Sequence, residues 1–80
     1  MRITYYREYG QESDYIAVGP RNTEVKNLGI CYHAIVSIPG SGPASVYQSF
    51  ASRSYLDRCD KIPRSDVPAD WVKAFDALWP

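Results

Sequence analysis

From Gly29 to Ile38 the chain alternates. Ile30, Tyr32, Ala34, Val36 and Ile38 fall on one side of an extended backbone, and Cys31, His33, Ile35 and Ser37 on the other. Neither side carries formal charge, which predicts a strand with neighbours on both edges and cover on at least one face. Arg2 to Tyr9 is rich in β-branched and aromatic residues and predicts another strand, with Ile3 and Tyr5 opposed to Thr4 and Tyr6. A polar stretch from Gly10 to Ser13 leads into Asp14 to Val18, so these two strands form a candidate hairpin. Asp14 shares a face with Ile16 and Val18 there, and its carboxylate sits at the open end of the strand. Gly19 and Pro20 predict the end of that strand. Arg21 to Leu28 then reads as an exposed loop, with Thr23 to Lys26 available for brief edge pairing.

At the C-terminal end the period changes. Trp71, Val72, Phe75, Leu78 and Trp79 recur at helical spacing, while Asp70, Lys73 and Asp76 fall elsewhere on the wheel. Asp66 as cap, Pro68 and Ala69 in the first turn and acidic Asp70 near the N-terminus complete the signal. Such a short helix is marginal alone, so its aromatic stripe must pack against a sheet or another molecule. Residues 44–59 fit two patterns. Val46, Tyr47, Phe50, Ala51 and Ser54 share a helical side, but Val46, Gln48 and Phe50 also alternate with Tyr47, Ser49 and Ala51 as in a strand that returns antiparallel to the 30s. The helix is preferred, because Pro43 suits a first turn. The reading is an α+β fold, a single compact domain over 1–80. Its small antiparallel sheet of three to four strands packs with a C-terminal amphipathic helix, with a second helix at 44–59.

Composition sharpens this picture at one place. Nine basic residues balance nine acidic ones in 80 residues, and both signs are mixed at each end of the chain. Gly29 to Ser52 carries none of them, although 22% of the chain is charged. A soluble surface needs interspersed charge. The uncharged span is therefore buried, or it belongs to a face that meets another molecule. No apolar h-region follows Met1 and Arg2, and no run approaches the roughly 20 apolar residues of a membrane span. A cytoplasmic location is expected, with Cys31 and Cys59 as reduced thiols rather than a disulfide.

Catalytic chemistry finds little support. His33 is the sole histidine, and no serine, cysteine or acid is spaced to form a nucleophile, base and orienting group with it. Cys31, His33 and Cys59 are one ligand short of a structural zinc site. The loop PGSGP at 39–43 has glycines but lacks the lysine and frame of a phosphate-binding loop. No enzyme, metal or cofactor is expected.

Binding fits the composition better. Seven tyrosines, two tryptophans and several arginines are the residue types that anchor interfaces. Tyr5, Tyr6, Tyr9, Tyr32, Tyr47, Tyr55, Trp71 and Trp79, with acidic Glu8 and Asp14, are the candidate interface residues. The expected partner is a protein, as part of a larger complex. A homodimer through the neutral span and a structural or assembly subunit are alternatives. A further alternative is single-stranded nucleic-acid binding, with Tyr5, Tyr6 and Tyr32 as a stacking platform near Arg2, Arg7 and Arg53. The zero net charge speaks against it.

In size, neutral composition and lack of catalytic machinery, the chain resembles the small accessory proteins of bacteriophages and mobile elements, among them anti-CRISPR and other anti-defence inhibitors. The resemblance concerns general character and no particular residue. It implies an inhibitor in a host-virus setting that occupies a surface its target needs. Glu8, Glu12, Asp14 and Asp57 are acidic groups able to meet a basic channel.

Overall fold

The computed structural model describes residues 2–10 and 13–79, so Glu12 lies outside the described residues. Five strands form one antiparallel sheet: β1 (Thr4–Arg7), β2 (Tyr15–Val25), β3 (Gly29–Ser37), β4 (Val46–Ser52) and β5 (Asp60–Ile62). Their spatial order is β4-β3-β2-β1-β5. A single helical turn, α1 (Arg53–Leu56), follows β4 directly, and α2 (Ala69–Leu78) ends the fold.

The α+β class and the C-terminal helix follow the pattern of the sequence, but the sheet is larger than three to four strands. The expected helix at 44–59 is where the difference arises. Only Arg53–Leu56 is α-helical there, beside a single 3-10 turn at Pro43–Ser45, and the Ser52 hydroxyl accepts from Tyr55 N at 3.2 Å as the cap of α1. Residues 46–52 are instead extended and pair with β3 from Cys31↔Ser52 to Ser37↔Val46. Strand β3 has two edges of uncharged, β-branched backbone to satisfy, and β2 covers only one. A second strand supplies the remaining partners, and that non-local demand overrides the local helical spacing.

Gly19 and Pro20 do not end β2 either. The register with β3 shifts between Val18 and Asn22, so these residues form a bulge, which absorbs the amide that proline lacks. Pairing resumes and runs to Val25↔Gly29. Asn27, at φ 73°, helps close the hairpin in the left-handed region that asparagine tolerates. Gly19 has its own reason to be glycine, since a Cβ there would stand 3.0 Å from the Trp79 ring.

Each face of the sheet has its own apolar layer. Between the sheet and α2 lie Tyr5, Tyr15, Ala17, Ile35 and Val67, packed with Trp71 and Phe75 of α2 itself. Tyr15 and Trp71 meet edge-on at 5.4 Å between ring centroids. The Tyr5 hydroxyl accepts from Arg64 Nη1 at 3.2 Å, and Arg64 also reaches Asp76 on α2 at 2.9 Å. Pro68, not Asp66, stands at the α2 N-cap, and no side chain caps it. On the opposite face Ile16, Val18, Ala34 and Ala51 are covered by Leu56 and Cys59 from α1 and the turn after it. This second cover is much shorter than α2. It leaves the part of the sheet near β4 open.

Candidate protein-docking edge

Alternation of backbone groups settles which way β4 points. Glu8 N donates to Asp14 O at 3.0 Å, so even-numbered residues of β1 and β2 hydrogen-bond each other. Odd-numbered Ala17 must then bond Ile35 in β3, and Ala34 and Val36 turn their backbone toward Ser49 and Tyr47 in β4. Ile38 N, two positions on, reaches Ser45 Oγ at 3.2 Å on that same side. The amides and carbonyls of Val46, Gln48, Phe50 and Ser52 therefore face outward, with no strand beside them among the described residues. The two sheet edges differ sharply. Strand β5 has three residues, two of them charged (Asp60 and Lys61), a protected edge of the usual kind; β4 has seven and no charge.

Side chains sharpen the contrast. Six large apolar residues are exposed among the described residues: Tyr9, Leu28, Ile30, Ile38, Tyr47 and Phe50. Four lie inside the uncharged span and Leu28 borders it, whereas Tyr9 is partly covered by the Arg58 guanidinium at 4.5 Å. On the α2 face Phe50 is 59% exposed and stands beside His33, whose ring also meets Trp79 edge-on at 5.1 Å. Arg21, Asn22, Thr23, His33 and Phe50 line a shallow pocket of about 440 Å³ there. Tyr47, 48% exposed, lies on the opposite face. It opens a groove of about 580 Å³ whose walls include Ile16, Val36, Ala51, Tyr55 and Glu8. One concavity thus lies on each face beside the same edge strand.

No family model, curated protein or solved structure matches this chain. Geometry alone carries the reading.

The candidate interface residues separate into three groups. Tyr5 and Trp71 are buried between the sheet and α2, and Asp14 is buried with Oδ2 accepting from Gly40 N at 3.0 Å. Tyr6, Tyr32, Tyr55 and Glu8 are half-buried on or beside the second layer, and Trp79 is half-buried against Gly19 and His33. Tyr9 and Tyr47 are exposed. The proposed stacking platform is divided, with Tyr5 on the α2 face and Tyr6 and Tyr32 on the other. Phe50, Ile38 and Gln48 are the residues that sequence reasoning passed over as site members. The uncharged span contained them, but only the sheet order shows that they flank an open edge. Among the described residues, no three His, Cys, Asp or Glu side chains are grouped to hold a metal.

A titratable cluster closes the groove. The Tyr55 hydroxyl donates to Glu8 Oε1 at 2.8 Å. Burial, then the bond and charge of Glu8, raise the Tyr55 pKa far above 10.0. Burial and then the Asp57 charge raise Tyr6. Burial likewise raises Cys59 above 9.0, outweighing hydrogen bonds from the Tyr9 backbone and Tyr55 that lower it. All three keep protons in the folded chain that the unfolded chain releases. Their contribution to stability is complete below about pH 9 and is lost as pH rises through about 10 and beyond. Urea midpoints are accordingly expected to fall between about pH 8 and pH 11, and to fall less in a Tyr6→Phe, Tyr55→Phe double variant. Parallel losses in both proteins would show that this cluster is not the cause.

Proposed function

We propose that the chain is a non-enzymatic protein-binding module that takes an extended segment of its partner onto β4. The observation that carries this reading is a seven-residue, uncharged edge, unpaired among the described residues, that bears the exposed Tyr47 and Phe50. Strand addition draws affinity from main-chain hydrogen bonds and selectivity from pockets that take alternate side chains. The outward amides and carbonyls of Gln48 and Phe50 offer the first. The Phe50 pocket and the Tyr47 groove, on opposite faces, offer the second. Arg21 at the rim of the Phe50 pocket favours an acidic or polar side chain there, and the groove favours an apolar one. No chemical step is needed. Capture of a strand that a larger complex requires for assembly is inhibitory by steric occupation, an outcome in keeping with the chain's likeness to small accessory inhibitors of bacteriophages and mobile elements.

The test is a photo-crosslinking amino acid placed singly at Tyr47 on β4 and at Lys61 on β5, in cell extract. Protein adducts that form at position 47 and not at 61, and that disappear when Gln48→Pro is added, support strand addition. Proline at 48 removes an outward amide and leaves pairing with β3 intact. Adducts insensitive to Gln48→Pro, or adducts to nucleic acid that nuclease removes, overturn it.

A further inference from the structure

We infer that β4 also pairs with β4 of a second copy of this chain, joining two five-stranded sheets about a two-fold axis at Ser49. The inference rests on the strand-addition reading of β4 and names one occupant of that edge. Two-fold pairing requires a patch that complements itself. The antiparallel register that uses all seven residues sets Ser49 against Ser49 and leaves no residue unmatched. It opposes Tyr47 of one copy to Ala51 of the other, Gln48 to Phe50 and Val46 to Ser52.

Each of these pairs is physically acceptable. Tyr47 and Ala51 combine a large and a small side chain on the groove face, so the ring has room to lie across the junction. Phe50 meets a Gln48 already drawn toward the helix by its bond to Leu78 O at 2.9 Å. The outward backbone positions 48 and 50 face each other as hydrogen-bonding pairs in this register, each exchanging two bonds, and Val46 stands opposite Ser52, the N-cap of α1. Like charges directly opposite destabilise paired strands, and here there are none on β4 to oppose. Net charge is zero, so two whole copies do not repel at long range. The register also gives Phe50 and Tyr47 cover that the single chain lacks. The β5 edge offers no equivalent, because its three residues carry Asp60 and Lys61.

Sedimentation velocity from the micromolar to the millimolar range is expected to show a monomer–dimer equilibrium. Position 49 reports the register. It is a non-hydrogen-bonded pair at the axis, where cross-strand Cβ atoms approach to about 4.5–5.5 Å, within a small adjustment of disulfide geometry. Ser49→Cys is expected to yield a covalent dimer on mild oxidation. Phe50→Cys, whose direct opposite is Gln48, is expected to yield at least about tenfold less. Cys31 and Cys59 are buried, so the parent chain is a clean control. Ser49→Lys opposes two ammonium groups and is expected to give a folded monomer by circular dichroism; mixing it with Ser49→Glu is expected to restore a heterodimer. A parent chain that stays monomeric throughout, or stronger cross-linking through position 50 than 49, overturns the inference. A monomer that still forms Gln48→Pro-sensitive adducts at position 47 would defeat self-pairing and leave strand addition standing.

Discussion

Phe75→Ala is expected to lower the urea midpoint severely. The ring is fully enclosed between the sheet and α2, with Tyr5 and Trp71 centroids at 6.2 and 5.8 Å. Truncating such a side chain removes about 3–5 kcal/mol through lost burial and the cavity left behind. The whole stability of a chain this long is only about 4–12 kcal/mol. The substitution therefore takes away from about a quarter to all of it. Phe50→Ala is the matched comparison: its ring is largely in solvent, and the change should stay within about 0.5 kcal/mol. Urea denaturation followed by circular dichroism measures both. Equal losses at positions 50 and 75 would contradict the assignment of one ring to the core and the other to the edge.

Asp14→Ala is expected to destabilise the fold by about 1–3 kcal/mol, the typical loss when a partly buried donor is deprived of its acceptor. Asp14 is 1% exposed, and its carboxylate holds the Gly40 amide in the turn after β3. That bond joins the start of β2 to the loop from which β4 departs. Its loss should therefore also quicken hydrogen exchange at Gly40, more than at amides in the middle of β2. Asp14→Asn keeps an acceptor oxygen and should lose distinctly less. An Asn variant as unstable as the Ala variant would mean that the charge, and not the bond to Gly40, is what matters.

Local pattern was enough for some elements and not for others. Strand β3 and helix α2 are legible because their periods, two and 3.6, run unbroken through residues of matching propensity. Val46, Phe50 and Ala51 satisfy both periods, so nothing local decides between them. The decision comes from β3, which is distant in sequence and needs a second neighbour. Gly19 and Pro20 mislead for a related reason: they end strands in general, yet a bulge accommodates the proline and the Trp79 ring occupies the space that a side chain at 19 would need. Of the candidate site, the uncharged span was visible as composition. Its position on an edge was not, since an edge is defined by the strand that is absent. Tyr5, Trp71 and Asp14 have the residue types of an interface, but each finds its partner inside the molecule.

The inequality of the two sheet edges bears on how far association can proceed. A polymer grows only from units with two reactive ends, and the described residues offer one: β4 has an open edge and β5 is short and charged. Any strand that joins it, foreign or its own, consumes the single available valence. If β4 pairs as proposed, association stops at the first step, because β5 offers no second edge from which a fibre would extend.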